Sequence, residues 1–217
     1  AAFVVNYSCT PARFPQALVE ALEAVRYVRE HAEEFGINPN NIATCGFSAG
    51  GHLAGYISTA WHRSDIAEKL GIDNELCKPN AAILSYPVVT NNVPPHKGSF
   101  DSLLGEDRTE ELSITANLDM LVDERTCPCF IWHTATDACV PAANSLAFAN
   151  ALINNGIECE LHIFPMGCHG LARATAESAP DGMEDIYHLP YVARWMEWSL
   201  TWLERTFYNG KMAFRKL

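Results

Sequence analysis

The chain has 217 residues, which suits one domain with a sizeable core. Its 26 acidic residues outnumber 15 basic ones, and the net charge of −11 argues against nucleic acid or an anionic membrane surface as a partner. Hydrophobic residues reach 48%, but no run approaches the ~18 apolar residues of a membrane span, so a membrane partner is not expected either.

The first part of the chain predicts strands that alternate with helices. An apolar run at residues 2–7 predicts a strand, and apolar residues at helical spacing predict a helix over residues 15–35. Residues 42–45 predict a buried strand, and a second helix is expected from residue 51 to about residue 61. This alternation indicates a parallel sheet with crossover helices.

The rest of the chain continues the pattern, with one long interruption. Further strands are predicted at residues 81–86, 129–134 and 158–164, and further helices at residues 140–155 and 191–207. Residues 62–80 are predicted as a loop with a short helix around 65–70, and residues 165–190 as a loop with a helical turn near 171–177. Residues 87–124 are too long for a plain crossover. They predict a lid-like excursion with short helices near 100–104 and 110–113.

The segment Gly46-Phe47-Ser48-Ala49-Gly50 lies between a predicted strand and a predicted helix. G-x-S-x-G in this context is typical of a nucleophile elbow, which holds its serine on a sharp, strained turn. Glycine is expected at 46 and 50 because a Cβ at either place would collide with the neighbouring strand or helix. The helix N-terminus predicts the backbone N–H of Ala49 as an oxyanion donor. The alternative is a serine that merely caps the helix.

A nucleophilic serine needs a base, and the base needs an orienting acid. In a parallel sheet such groups collect just after the carboxyl ends of strands. Asp137 follows the strand at 129–134 and is the candidate acid, with helix capping as the alternative role. His169 follows the last strand, with glycines nearby on both sides, and is the candidate base; the alternative is a loop histidine that makes one hydrogen bond. The order Ser48, Asp137, His169 is that of α/β-hydrolases and predicts an acyl-enzyme on Ser48.

Other aromatic side chains are weaker candidates for the site. Phe47, next to Ser48, and His96, in the excursion, are the candidates for substrate binding. His133 and His162 are predicted within strands, and His52 one turn along the elbow helix.

The spacing of the eight cysteines is not that of a disulfide framework. We expect most of them to be reduced, which favours a cytoplasmic compartment. Three lie in strand-like runs, where a thiol behaves as a small hydrophobe: Cys45, Cys129 and Cys159.

Two alternatives for the other cysteines stay open. Cys127 and Cys129 with His133 could be proposed as a metal site, but cysteines two apart that lead into a buried strand are more typical of a core, so no metal and no cofactor is expected. Cys139 and Cys168 neighbour the candidate acid and base, and a disulfide between them would clamp the site.

Short motifs spread over nearly the whole chain occur together in one known family. They are Asn6-Tyr7, Pro11-Ala12-Arg13-Phe14-Pro15, Gly46-Phe47-Ser48-Ala49-Gly50-Gly51-His52-Leu53-Ala54, Ser85-Tyr86-Pro87, Leu103-Leu104-Gly105, Trp132-His133-Thr134 with Asp137 and Val140-Pro141, and His169-Gly170-Leu171. In these motifs the chain resembles α/β-hydrolases of the acetylxylan-esterase and acetyl-esterase type. The resemblance implies a single α/β-hydrolase domain over residues 1–217, with a mostly parallel sheet and helices on both faces. It also implies a serine esterase that removes short acyl groups from xylan or other carbohydrate without a cofactor, so that an acetylated oligosaccharide or small ester is the expected partner.

One departure from the family concerns the start of the sequence. The family places a His-Gly-Gly-type loop, which supplies the second oxyanion donor, before the strand that opens this chain. The strand leading into that loop would lie between the strands at 2–6 and 42–47. Losing one donor typically costs ~10²–10³ in turnover. We therefore expect an N-terminally truncated fold that belongs to a longer chain or is completed by a partner strand, and a lost signal peptide would make the protein secreted. Hydrogen bonds that join residues 2–6 directly to the elbow strand would contradict this.

Two other functions stay open. One is a peptidase of the same fold acting on short peptides, although acidic residues to bind a free amino terminus are not identifiable. The other is a non-catalytic hydrolase fragment or interaction module.

Overall fold

The structure is a computed structural model that describes residues 1–63, 74–93 and 96–208. Four strands form one parallel sheet whose order follows the chain: β1 Ala43–Phe47, β2 Ala81–Ser85, β3 Cys129–Thr134 and β4 Cys159–Phe164. Ser85 of β2 pairs with Phe47 of β1 on one side and with Trp132 of β3 on the other. The carboxyl ends of these neighbouring strands therefore lie at the same edge of the sheet.

The helices of the described residues cover both faces of this sheet. They are α1 Gln16–Glu30, α2 Ala49–Ala60, α3 Asn74–Cys77, α4 Lys97–Leu104, α5 Glu110–Ile114, α6 Ala143–Asn154, α7 Glu184–Tyr187, α8 Pro190–Ala193 and α9 Trp195–Tyr208, with 3₁₀ turns at Leu118–Met120 and Ala176–Ser178. When parallel strands are added to a sheet in chain order, right-handed connections place their helices on the same face of the sheet. None of the helices in the described part of the chain is long and apolar enough to cross a membrane.

The core consists of two layers that share the sheet. Alternate side chains of β2 point to opposite faces, as the pleat requires. Ala82 and Leu84 pack in the layer of α1, α2 and α6, whereas Ala81 and Ile83 pack in the layer of α9. Every residue of β2 and β3 is buried. Covering on both faces explains why these strands appear in the sequence as continuous apolar runs.

The opening strand predicted at residues 2–7 does not form, and this prediction is wrong. Residues 1–9 have no regular secondary structure, and in the described residues β1 pairs only with β2. The side chain of Val4 is 91% exposed, while Phe3 rests on the ring of Phe35 at 4.8 Å. A strand needs a partner for its backbone groups, and an apolar run cannot supply one. The hydrogen bonds between residues 2–6 and the elbow strand that would contradict the expected gap are absent from the described chain.

Several predicted helices end or break where the backbone leaves helical geometry. The first helix ends at Glu30 instead of residue 35, because His31 takes φ −101° and ψ 18° and turns follow over residues 31–36. The helical turn predicted near 171–177 is wrong for its first part, since Ala172 and Ala174 have φ of 50° and 55°. The closing helix is interrupted at Arg194, which separates α8 from α9. The two short helices expected in the excursion are α4 and α5. The short helix predicted around residues 65–70 lies outside the described residues.

Candidate active site

The turn between β1 and α2 holds Ser48 in a strained conformation. Its φ of 54° and ψ of −117° lie in a region that residues with a Cβ rarely adopt. Two hydrogen bonds fasten the turn to β2 and the segment after it. The N–H of Ser48 donates to Ser85 O at 3.0 Å, and the N–H of Val88 donates to Ser48 O at 3.3 Å. Because α2 begins at Ala49, the first N–H groups of the helix have no acceptor within the helix.

The glycines around Ser48 have different reasons to be glycine. A Cβ on Gly46 would lie 2.0 Å from Gly50 O, and a Cβ on Gly51 would lie 2.9 Å from Cβ of Pro87. A Cβ on Gly50 would meet nothing closer than the Tyr7 hydroxyl at 3.7 Å, an ordinary contact. The collision expected at Gly50 is therefore wrong, and Gly46 and Gly51 are the positions where the elbow and its neighbours approach too closely for a side chain.

The structure brings together the three side chains that the sequence placed on separate loops. Ser48 Oγ lies 2.7 Å from His169 Nε2, and His169 Nδ1 lies 2.6 Å from Asp137 Oδ2. An ionised carboxylate can only accept, so Nδ1 carries the hydrogen in this pair. The lone pair of Nε2 then accepts from the hydroxyl of Ser48. This is the arrangement that allows an imidazole to take the proton of a serine.

The carboxylate of Asp137 is buried and well supplied with donors. Its Oδ1 accepts hydrogen bonds from the N–H groups of Cys139 and Val140, both at 2.9 Å. Burial opposes the charged form, but hydrogen bonds from His133, His169 and the backbone of Val140 outweigh it and hold the pKa of Asp137 well below its usual range. The capping role considered as an alternative does not apply, because α6 begins later, with Ala142 as its N-cap.

A second set of hydrogen bonds joins the loop of Asp137 to the loop of His169. The hydroxyls of Thr134 and Thr136 both donate to Gly167 O at 3.0 Å, and the N–H of Gly167 donates back to Thr136 Oγ1 at 2.9 Å. Gly167 takes φ +150°, and a Cβ there would lie 2.8 Å from side-chain atoms of Thr134 and Leu171. The relative position of the two loops is therefore fixed by contacts other than the hydrogen bonds among Ser48, His169 and Asp137.

Two buried aromatic residues beside this line were missed by the sequence reasoning. Tyr86 packs edge-on against His169 with ring centroids 5.0 Å apart, and its hydroxyl accepts the N–H of Ala172 at 3.0 Å. Burial raises the pKa of Tyr86 to about 12, so this hydroxyl stays protonated. His133, considered above as a strand residue and as a ligand of a possible metal site, lies 3.3 Å from Asp137 Oδ2. The available signals were the place of Tyr86 just past β2 and the position of His133 four residues before Asp137.

The other predicted site residues are placed in two different regions. Ala49 and His96 both line a cavity of about 600 Å³ between α1, α2, α4 and the segment before α1. His96 Nδ1 lies 2.8 Å from Ser99 Oγ, and the imidazole caps the start of α4. The ring of Phe47 instead packs toward α9, 5.9 Å from the ring of Trp195. The roles of these residues stay predictions.

All eight cysteines are free thiols, so the disulfide considered between Cys139 and Cys168 is not formed. Cys129 is fully buried, as a small hydrophobe would be, and Cys159 is half-buried. Cys45 is exposed, which corrects the expectation of a buried thiol, because β1 is the edge strand of the sheet as described. Within residues 1–63, 74–93 and 96–208, no group of three or more metal-ligating side chains could hold a metal ion.

Comparisons with known proteins identify relatives that are named for an enzymatic activity. Endo-1,4-beta-xylanase B of Butyrivibrio fibrisolvens is 36% identical over 81% of this chain, and an acetylxylan esterase of Xylanibacter ruminicola is 31% identical over 80%. The chain spans only 28% and 35% of the lengths of these two proteins. The solved structure of an acetyl ester-xyloside bifunctional hydrolase from Caldicellulosiruptor lactoaceticus is 37% identical, with a TM-score of 0.76 over 92% of this chain and 69% of that one.

These similarities establish the fold and the family. The parallel sheet with helices on both faces is an α/β-hydrolase fold, as the sequence predicted. The BD-FAE family model matches residues 1–152, more than half of the sequence. The chain therefore belongs to the BD-FAE family.

Proposed function

We propose that this chain is a serine carboxylic ester hydrolase that removes short acyl groups, above all acetyl, from xylan or a related carbohydrate. The observation that carries the proposal is the unbroken line from Ser48 Oγ through the imidazole of His169 to the carboxylate of Asp137, with contacts of 2.7 and 2.6 Å. Relatives named acetylxylan esterase and acetyl ester-xyloside hydrolase support the substrate class.

In the first half of the proposed reaction, the ester acylates Ser48. Nε2 of His169 takes the hydroxyl proton while Ser48 Oγ forms a bond to the ester carbonyl carbon. The carbonyl oxygen becomes an oxyanion, which the backbone N–H of Ala49 stabilises at the start of α2. The bond from carbon to the sugar oxygen then breaks, and His169 gives its proton to that oxygen. The sugar leaves as an alcohol, and the acetyl group stays on Ser48.

In the second half, water releases the acyl group. His169 Nε2 takes a proton from a water molecule as the water oxygen attacks the carbonyl carbon of the acyl-enzyme. The bond to Ser48 Oγ breaks, His169 gives its proton to Ser48, and acetic acid leaves and loses its remaining proton to solvent. Asp137 stays ionised throughout and stabilises the imidazolium that forms in each half. Its lowered pKa suits this role, because the carboxylate must not take the proton itself.

Hydrolysis of p-nitrophenyl acetate tests the proposal. We expect Ser48→Ala to lower kcat by at least about 10⁴-fold. Ser58→Ala is a matched control on the same helix, since its hydroxyl is buried and donates to Gly55 O at 2.7 Å. A fluorophosphonate should add one covalent group to the protein, and mass spectrometry should find it on Ser48. Retained activity in folded Ser48→Ala would contradict the proposal.

Two further substrates separate the alternatives. Release of acetate from acetylated xylo-oligosaccharides is expected, and faster cleavage of a peptide anilide than of any ester would instead favour a peptidase. A folded protein that reacts with neither substrate class nor with the fluorophosphonate would favour a non-catalytic module.

A further inference from the structure

A fully buried imidazole lies directly behind the candidate acid. His133, in β3, has 0% exposure and contacts three groups. Its Nδ1 is 2.8 Å from Ser145 Oγ on α6, and its Nε2 is 2.8 Å from Val140 O. The same Nε2 lies 3.3 Å from Asp137 Oδ2.

These partners define which ring nitrogen carries the hydrogen. A backbone carbonyl can only accept a hydrogen bond, so Nε2 of His133 must be the donor to Val140 O. In the neutral ring, Nδ1 then has the lone pair and accepts from the hydroxyl of Ser145. The tautomer follows from these partners without any appeal to the reaction. Both ring nitrogens of His133 therefore make a hydrogen bond, and the ring cannot flip without breaking the bonds to Ser145 and Val140.

Asp137 is held by His133 through two routes. The direct route is the contact from Nε2 to Oδ2, the same oxygen that accepts from His169. The indirect route passes through Val140, because His133 binds its carbonyl while its N–H donates to Asp137 Oδ1. Both carboxylate oxygens, and the turn from residue 137 to residue 140, thus depend on one imidazole.

We propose that His133, fixed by Ser145, is a positioning residue that holds the carboxylate of Asp137 toward His169 in the proposed esterase. This inference rests on the proposed function. His133 touches neither the reacting atoms nor the cavity, so it acts only through Asp137. A carboxylate freed on one side could rotate, and the imidazole of His169 would lose its fixed orientation toward Ser48.

Three variants in the full chain test the proposal. His133→Phe removes both ring nitrogens, and we expect kcat on p-nitrophenyl acetate to fall about tenfold, equivalent to about 1.4 kcal/mol of barrier, with KM unchanged. His133→Gln places an amide N–H near the position of Nε2 and should recover most of the rate. Ser145→Ala removes only the anchor of Nδ1 and should lower kcat about threefold. His162→Gln is the control, since His162 is a strand histidine whose Nε2 bonds Glu160.

A spectroscopic readout separates positioning from a general loss of stability. The proton shared by His169 Nδ1 and Asp137 should give a low-field ¹H resonance, which His133→Phe should shift or broaden while His162→Gln leaves it unchanged. A folded His133→Phe protein with wild-type kcat and an unchanged resonance would overturn the proposal. If His133→Phe does not fold, Ser145→Ala with wild-type kcat and resonance would overturn it equally. A wild-type protein without esterase activity would refute the proposed function, whereas the resonance would still test the positioning by His133.

Discussion

The pair of substitutions Gly46→Ala and Gly50→Ala offers the sharpest test of the elbow geometry. A Cβ on Gly46 would lie 2.0 Å from Gly50 O and 2.8 Å from Gly51 N, which are backbone atoms that no rotamer change can move. Real contacts of this kind are not shorter than 3.0 Å, so the first turn of α2 must shift from β1 by about 1 Å. A shift of that size would lengthen the 2.7 Å contact between Ser48 and His169 beyond hydrogen-bond reach.

The expected cost of Gly46→Ala follows from this displacement. A misplacement of about 1 Å costs about 10²-fold in kcat, and the overpacking should remove about 2–3 kcal/mol from the free energy of unfolding. Gly50→Ala meets only the Tyr7 hydroxyl at 3.7 Å and should keep wild-type activity, with a small gain in helix stability. Rates on p-nitrophenyl acetate and urea unfolding measure both quantities. The reasoning fails if Gly46→Ala is as active and stable as wild type, or if both variants are equally damaged.

Three other changes give separate expectations. Asp137→Asn should lower kcat about 10⁴-fold. Because the pKa of Asp137 is lowered in the folded protein, the ionised carboxylate stabilises the fold above about pH 4, and this contribution is lost as pH falls toward the folded pKa. The free energy of unfolding of Asp137→Asn should therefore fall less steeply in acid than that of the wild type. An unchanged acid unfolding curve would contradict this. Ser85→Ala removes the acceptor of the buried Trp132 Nε1–H, now at 2.7 Å, and should cost about 1–3 kcal/mol, seen as a lower Tm. Activity should be unchanged in dithiothreitol and in Cys139→Ser, since the thiols of Cys139 and Cys168 are both free. A loss of activity on reduction would instead indicate a disulfide between these two residues.

The sequence predicted those features that depend on local pattern and on position along the sheet. β2 and β3 are short apolar runs that are buried along their whole length, whereas β4 was predicted from apolar residues that alternate with polar ones. Ser48, Asp137 and His169 could be placed together because each follows a strand of one parallel sheet, and neighbouring carboxyl ends meet at one edge.

Features that depend on partners distant in the chain were beyond this reasoning. The run at residues 2–7 has the composition of a strand, but a strand is defined by the backbone that pairs with it. The role of His133 depends on Ser145 and Val140, which only the folding of α6 against β3 brings to its ring. The steric reason for Gly46 could be expected from the motif, whereas the open space beside Gly50 could not.

The threonine contacts at Gly167 couple the position of the His169 imidazole to the position of the Asp137 carboxylate. Since Thr134 and Thr136 bind the backbone of Gly167 directly, the histidine loop and the acid loop form a single mechanical unit. Any movement of the histidine loop away from Ser48 would therefore carry the imidazole and the carboxylate together. The imidazole would return to the serine already oriented, and each new turnover would begin without a search for the correct ring position.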